Sequence, residues 1–120
     1  MNPKNEVGKI YSRPWGTYQT LKISDNCQVK WIEIFPNSKL SLQKHFKRSE
    51  HWIVVKGKPL ITIGDIKKEY KENDHLFIPI EKIHRIENIY KENIIIVEVQ
   101  IGSYLGEDDI LRIEDIYNRN

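Results

Sequence analysis

Residues 94–101, which read IIIVEVQI, give the strongest β-strand signal in the chain. Their odd-numbered positions are all apolar, whereas the even-numbered positions include Glu98 and Gln100. Successive side chains of a strand point to opposite faces, so this pattern predicts one apolar face and one mixed face. Such a strand suits a barrel wall that packs on one side and lines a pocket on the other. An ordinary solvent-exposed mixed face is the alternative interpretation.

Short β-type runs separated by turn residues extend from this strand towards the N-terminus. They cover residues 29–35, 51–55, 60–63, 67–70, 76–80 and 83–89. Turn residues such as Pro36, Gly57, Gly64 and Asn73 lie between them. Strands at this spacing indicate an all-β sandwich or barrel.

The two ends of the chain differ from this pattern. Residues 1–12 are polar and are predicted to form a loose N-terminal arm. Residues 108–117 carry apolar side chains at helical spacing: Ile110, Leu111, Ile113 and Ile116. The acidic residues before them suit a helix N-terminus, so we expect a short C-terminal helix over 108–117. Residues 1–120 as a whole are predicted to form one domain.

Composition excludes several classes of protein. The chain has 120 residues, of which 39% are hydrophobic and 30% charged, and its net charge is +2. These values favour a soluble globular protein and give no reason to expect nucleic acid as a partner. No apolar run approaches the roughly 20 residues that span a bilayer, so no membrane association is expected. The single Cys27 fits a reducing compartment, and we expect a cytoplasmic protein.

Metal-competent side chains are densest in residues 41–51, SLQKHFKRSEH. Gln43 and His45 are two apart and would share one face of a strand, and Glu50 follows after a short turn. A fourth ligand would come from elsewhere in the chain, and His84 is the candidate. Mixed nitrogen and oxygen ligands suit Zn²⁺, Fe²⁺, Mn²⁺, Co²⁺ or Ni²⁺, and the absence of thiolates disfavours a purely structural zinc site.

The same residues match the spacing of the two cupin motifs. Gln43, His45 and Glu50 fall at the ligand positions of the first motif, which Gly57 closes, and His84 falls at the ligand position of the second. Three positions that carry glycine in the motifs hold other residues here: Asn37, Asn73 and Glu81.

Beyond these motifs, the chain resembles, nearly end to end, the C-terminal cupin domain of type II phosphomannose isomerases. Most relatives carry that domain behind a GDP-mannose pyrophosphorylase domain. The similarity runs through residues 13–18 (RPWGTY), 40–45 (LSLQKH), 48–52 (RSEHW), 84–88 (HRIEN) and 102–110 (GSYLGEDDI). The Gln-x-His pair and the Gly-Glu-Asp-Asp-Ile stretch are its most specific features.

This resemblance implies a mannose-6-phosphate isomerase, a metal-dependent enzyme that interconverts mannose 6-phosphate and fructose 6-phosphate. It implies a cupin barrel, the double-stranded β-helix, with one divalent metal ion, zinc first, on Gln43, His45, Glu50 and His84. It also implies a role in GDP-mannose or surface-polysaccharide synthesis. By analogy with small cupins, we expect a homodimer.

Substrate and proton-transfer residues follow from the needs of this chemistry. Guanidinium and ammonium groups bind phosphate, and the candidates are Lys30, Arg48, Arg85 and Arg112. Glu98 is the candidate base, with Lys30 as its rival, and the family motif brings Arg85 into the catalytic set. Among the three tryptophans, Trp52 is the one expected to face the pocket.

Two other functions stay open from the sequence. The first is a non-catalytic sugar-phosphate or nucleotide-sugar binding cupin that acts as a partner or regulator of a guanylyltransferase. The second is another metal-dependent cupin enzyme, such as an epimerase or a dioxygenase. The Gln-x-His pair disfavours the dioxygenase, which usually holds iron through two histidines and a carboxylate.

Overall fold

A computed structural model describes residues 4–117, which contain twelve β-strands and no helix. The strands are β1 Ile10–Arg13, β2 Gly16–Ile23, β3 Cys27–Ile34, β4 Ser38–Lys39, β5 Leu42–Lys44, β6 Arg48–Lys56, β7 Leu60–Ile63, β8 Ile66–Glu69, β9 His75–Ile78, β10 His84–Asn88, β11 Ile94–Gly102 and β12 Leu111–Glu114. The all-β fold predicted from the sequence is therefore confirmed. Within the described part of the chain, no helix is long and apolar enough to cross a membrane.

Two sheets face each other. The first has the order β1-β2-β3-β11-β6-β9, and the second has the order β12-β5-β10-β7-β8 with β4 also paired to β10. All pairings between these strands are antiparallel. β11 lies between β3 and β6, so the strand with the strongest sequence signal is central to its sheet.

The even-numbered side chains of β11 point into the interior between the sheets. Ile94, Ile96, Glu98 and Gln100 are all buried, whereas Ile101 on the opposite face is 44% exposed. The mixed face of this strand is therefore the inner one. The residues that pack around its apolar half form the core: Trp15, Tyr18, Ile32, Ile34, Trp52, Val54, Ile61, Ile78 and Ile86.

The prediction of a C-terminal helix over 108–117 is wrong. Leu111–Glu114 form β12, which pairs with β5 at the edge of the second sheet. The backbone hydrogen bonds offered by that edge outweigh helical spacing in so short a segment. Leu111 and Ile113 are 46% and 45% exposed, and Arg112 between them lines the interior.

Part of the N-terminal arm is also ordered into the fold. Ile10–Arg13 form β1 against β2, and Val7 makes a bridge to Thr20. Asn5 donates a hydrogen bond to Gln28 in the interior. Residues 1–3 of the predicted arm lie outside the described residues.

Among residues 4–117, three residues other than glycine have a positive φ: Asn37 at 54°, Asn73 at 75° and Glu81 at 65°. These are the three motif glycine positions at which this chain holds another residue. The chain keeps a left-handed backbone there although side chains with a Cβ disfavour it. At Glu81 this turn directs the backbone N–H to the carbonyl oxygen of His45, at 2.7 Å.

Candidate metal centre and polar pocket

His45, Glu50 and His84 form a buried cluster whose donor atoms all lie within 4.8 Å of one another. His45 follows β5, Glu50 lies in β6, and His84 begins β10 opposite Gln43 of β5. Nε2 of His45 is 3.3 Å from one carboxylate oxygen of Glu50, and Nε2 of His84 is 3.9 Å from the other.

Both imidazole rings are held in one orientation by backbone carbonyls. Nδ1 of His45 lies 2.6 Å from the carbonyl oxygen of Asp109, and Nδ1 of His84 lies 2.9 Å from that of Lys82. A carbonyl oxygen only accepts, so each Nδ1 carries the proton and each Nε2 turns its lone pair towards Glu50. Burial lowers the pKa of His45 to about 4, which keeps that ring neutral.

The chemistry of this cluster fits a divalent cation. Lone pairs of two imidazoles and a carboxylate converge on one buried point, and Nε2 of His84 has no hydrogen-bond partner among residues 4–117. Burial would raise the pKa of Glu50, but Arg48, with the two histidines, holds that pKa well below its usual range. The carboxylate is therefore ionised and ready to bind a metal ion.

Gln43 lies beside the cluster. Its Nε2 is 3.4 Å from Nε2 of His45, and its Oε1 accepts a hydrogen bond of 2.6 Å from Ser41. Rotating the amide by half a turn would direct the oxygen towards the cluster, as a metal ligand requires. The structure thus brings together all four residues expected as ligands.

Arg48 contacts the cluster itself. Its Nε donates to Glu50 at 2.9 Å, and its Nη2 donates to Nε2 of His45 at 3.3 Å. Trp52 also contacts the cluster. Its Nε1 donates to the other carboxylate oxygen of Glu50 at 3.0 Å, and its ring lies edge-on to His84 at a centroid distance of 5.5 Å. Both side chains line the pocket and orient the carboxylate of Glu50.

Glu98 and Lys30 form a second polar group, on β11 and β3 of the sheet that also carries Glu50 on β6. They face each other in the register of β11 and β3, and both are nearly fully buried. Burial raises the pKa of Glu98 to about 7, the carboxylate of Glu50 adds to the rise, and Lys30 opposes it. Gln100 donates a hydrogen bond to Glu98 and accepts one of 2.8 Å from Gln28.

The loop of residues 103–110, which joins β11 to β12, reaches both groups. Glu107 accepts two hydrogen bonds from Nζ of Lys30, at 2.9 and 3.0 Å. Asp109 accepts from the backbone N–H groups of Phe46 and Lys47 at 3.0 Å each, while its carbonyl holds His45. One loop therefore contacts both His45 of the metal cluster and Lys30 of the second polar group.

The two remaining arginines predicted to bind substrate also line the pocket. Arg85 donates from Nε to the carbonyl of Leu40 at 3.0 Å and from Nη1 to Glu114 at 2.9 Å. Arg112 lies opposite Gln43 in the register of β12 and β5. The pocket thus contains every residue that the sequence interpretation assigned to metal, substrate or catalysis.

That interpretation missed several polar side chains of the pocket: Arg13, Tyr18, Ser41 and Glu107. Arg13 and Tyr18 come from the first hairpin, and Glu107 from the loop after β11. The available signal was the family resemblance, since all four lie in stretches that carry it.

Comparison of the sequence with known proteins identifies close relatives. The chain is 49% identical over 107 residues to the alginate biosynthesis protein AlgA of Pseudomonas aeruginosa, covering 89% of this chain and 22% of that protein. It is 48% identical over 111 residues to the xanthan biosynthesis protein XanB of Xanthomonas campestris, covering 92% and 24%. A mannose-1-phosphate guanylyltransferase of Sinorhizobium fredii is 48% identical over 110 residues, with 92% and 22% covered. The chain thus spans under a quarter of the length of these relatives.

Solved structures match the fold at low sequence identity. Oxalate decarboxylase of Bacillus subtilis matches with a TM-score of 0.77 and 18% identity, covering 88% of this chain and 30% of that one. A double-stranded β-helix protein of Klebsiella pneumoniae matches with a TM-score of 0.75 and 18% identity, covering 88% and 90%. The cupin domain of Cnp3 from Schizosaccharomyces pombe gives 0.72 and 14%, covering 78% and 68%. These matches confirm the cupin fold.

The model of one protein family, described as mannose-6-phosphate isomerase C-terminal, matches residues 2–115. This match covers nearly the whole chain, and the relatives share close to half of its residues. Both findings assign the chain to the same family. The chain belongs to the mannose-6-phosphate isomerase C-terminal family of cupins.

Proposed function

We propose that the protein is a metal-dependent aldose–ketose isomerase that interconverts mannose 6-phosphate and fructose 6-phosphate. The observation that carries this proposal is that Glu98, with a pKa of about 7, shares one pocket with the His45–Glu50–His84 cluster. Such an isomerisation needs a base for a carbon-bound proton and an electrophile for the adjacent oxygens. Family membership supports the choice of substrate.

Gln43, His45, Glu50 and His84 would hold one divalent ion. We propose zinc, with cobalt, manganese, nickel and iron as alternatives that the same ligands accept. When bound, such an ion polarises the carbonyl and hydroxyl oxygens of the sugar and stabilises charge that develops on them.

Glu98 would transfer the proton between the two carbons. Its carboxylate removes the proton from C2 of open-chain mannose 6-phosphate, and the C–H electron pair forms a double bond between C1 and C2. The carbonyl electrons move to O1, which takes up a proton, so an enediol forms. Glu98 then returns its proton to C1 while O2 loses its proton and becomes the new carbonyl. A base with a pKa near the working pH can both accept and return that proton.

Lys30 would assist Glu98 and position the substrate. Its ammonium group faces Glu98 across the strand pair and opposes the rise in that pKa. We propose that the substrate contacts Lys30, Arg85 and Arg112. Arg85 would also position the part of the pocket next to His84. Arg48 belongs to the same set, although its hydrogen bonds to Glu50 and His45 favour a role in holding the metal ligands.

The product would feed GDP-mannose or surface-polysaccharide synthesis. Two relatives are named as alginate and xanthan biosynthesis proteins, and a third as a mannose-1-phosphate guanylyltransferase. Conversion of fructose 6-phosphate to mannose 6-phosphate would supply the mannose unit that such syntheses require.

We also propose that the protein works as a homodimer. The outer face of the first sheet exposes Trp31 by 36%, Ile53 by 46% and Phe77 by 50%. Two copies that pair through this face would cover these side chains. Sedimentation equilibrium of the purified chain tests the dimer. The cytoplasmic location expected from the sequence stays a prediction.

The decisive experiment is an isomerase assay on the purified chain with metal content measured in the same sample. We expect formation of fructose 6-phosphate from mannose 6-phosphate to stop on chelation and to return with added zinc. Added zinc should not restore isomerase activity in the His84→Ala variant. It should restore full activity in His75→Ala, which changes an exposed histidine of β9. A metal-loaded protein that binds mannose 6-phosphate without turnover would contradict the isomerase and favour the binding module.

A further inference from the structure

Arg13 stands at the pocket wall in an arrangement unlike that of the other cations there. It ends β1, and its guanidinium carbon lies 5.1 Å from the ring centroid of Tyr18 and 5.8 Å from that of Tyr11. These two rings stack with their centroids 4.9 Å apart. Nη1 donates to the carbonyl of Ser12 at 2.8 Å, and Nη2 donates to the hydroxyl of Tyr18 at 3.1 Å.

Carboxylates engage three other cations of the pocket. Lys30 pairs with Glu107, and Arg48 pairs with Glu50. Arg85 pairs with Glu114. For Arg13, by contrast, no carboxylate of residues 4–117 lies within 4.0 Å of its nitrogens. An arginine has five N–H donors, and the two hydrogen bonds leave three of them for an incoming anion.

The first hairpin fixes the position of Arg13. Arg13 pairs with Gly16 across the β1–β2 turn, and Trp15 between them is buried in the core. A Cβ on Gly16 would lie 2.0 Å from the carbonyl oxygen of Glu33, so only glycine allows β2 to approach β3 this closely. The hydroxyl of Tyr18, which receives Nη2 of Arg13, donates in turn to Asn5 at 3.0 Å. The guanidinium is thus oriented before any ligand arrives, which lowers the entropic cost of binding.

The ring of Tyr18 also contacts Lys30, which lies next to the proposed base. Nζ of Lys30 lies 4.3 Å from the centroid of that ring, so the cationic groups of Arg13 and Lys30 are less than about 10 Å apart. Lys30 faces Glu98 in the strand register. Arg13, however, is exposed, so it lies on the solvent side of this group. Arg13, Lys30 and Glu98 line one pocket, so an open-chain six-carbon phosphate with its first two carbons at Glu98 would extend past Lys30 towards Arg13.

We propose that Arg13 is the phosphate-binding residue at the mouth of the pocket, with its planar guanidinium held on Tyr18. A guanidinium fork matches two oxygens of a phosphate monoester. The identity of the sugar rests on the proposed isomerase function, whereas the recognition of a phosphate group does not.

Calorimetric binding to the zinc-loaded full chain tests this assignment separately from catalysis. We expect Arg13→Met to raise the dissociation constant of mannose 6-phosphate about 10- to 100-fold, the range for a lost hydrogen bond to a charged group. Inorganic phosphate, used as a competitor, should lose affinity in the same variant. Arg13→Lys should bind with intermediate affinity, and Lys22→Met, which removes an exposed charge from β2, should bind as the wild type does.

Zinc content of each variant serves as the fold control, because Arg13 contacts none of the four proposed ligands. If Arg13→Met loses zinc, the result is read from Arg13→Lys instead. Unchanged affinity in the variant that retains zinc overturns the assignment, as does a wild-type protein that binds neither mannose 6-phosphate nor inorganic phosphate. Absence of turnover in a wild-type protein that binds the sugar phosphate would contradict the isomerase and leave the role of Arg13 supported.

Discussion

The interior of the barrel has an apolar end and a polar end built from the same strands. On β11, Ile94 and Ile96 lie in the core, and Glu98 and Gln100 continue the same inward-facing row. β3 repeats this change from isoleucine to Lys30 and Gln28. Strand alternation thus decides which side chains face inward, whereas the position along the strand decides whether they form core or site.

The two ends also differ in what stabilises their buried side chains. The buried apolar residues need only close packing, but buried charges need partners. Glu98 has Lys30 and Gln100, and Lys30 has Glu107. We expect substitutions at the polar end to change activity more than stability, and substitutions at the apolar end to do the reverse.

The largest effect is expected at the polar end. Glu98→Gln removes the proposed base but keeps the shape of the side chain, so kcat should fall by about 10²- to 10⁴-fold. Zinc should stay bound, because Glu98 is not a proposed ligand. Glu33→Gln, on the outer face of the adjacent β3, is the matched control. Near-normal turnover in Glu98→Gln would remove this residue from the mechanism.

At the apolar end we expect a loss of stability instead. Ile96 is fully buried, so Ile96→Ala should lower the free energy of unfolding by about 2–5 kcal/mol through lost packing and a cavity. Urea unfolding measures this change, and Val97→Ala on the outer face should cost less. Zinc stoichiometry should be unchanged below the unfolding transition. Loss of zinc there would show that the two ends are not separable.

The buried base should also make stability depend on pH. Glu98 has its pKa raised from 4.5 to about 7 on folding, so between these values the folded protein binds the proton more strongly. Stability should therefore fall as the pH rises through this window. Relative to Glu98→Gln, the metal-free wild type should lose free energy of unfolding between pH 5 and 8. A constant difference across that range would show that the carboxylate is not desolvated.

The smallest effect concerns the turn that supports the metal cluster. Glu81 has a positive φ, which costs energy for any residue with a Cβ, although glycine is also more flexible in the unfolded chain. We expect Glu81→Gly to raise the free energy of unfolding by about 0.5–1 kcal/mol. Glu81→Ala, which keeps the Cβ, should give no such gain. A gain in both variants would assign the effect to the lost carboxylate.

Sequence patterns predicted the parts of this protein that depend on local periodicity and motif spacing. They predicted β3, β6 to β11, and the mixed face of β11 that carries Glu98, but they left open whether that face lines a pocket or meets solvent. Motif spacing also brought His45 and Glu50 together. Arg13 and Glu107 escaped notice because a hairpin and a loop place them in the pocket only after the sheets have formed. The helix over 108–117 was wrong for a related reason, since pairing with β5 is a long-range interaction.

The loop of residues 103–110 contacts both polar groups of the pocket, so we expect the two groups to be thermodynamically linked. Asp109 fixes the imidazole of His45, and Glu107 neutralises Lys30. A ligand that replaced Glu107 on Lys30 would release one contact of this loop, and we expect the contact of Asp109 with His45 to weaken with it. Such coupling is reciprocal, so metal would change ligand affinity by the same factor as ligand changes metal affinity. Metal titrations with and without a bound anion would therefore yield one shared coupling free energy.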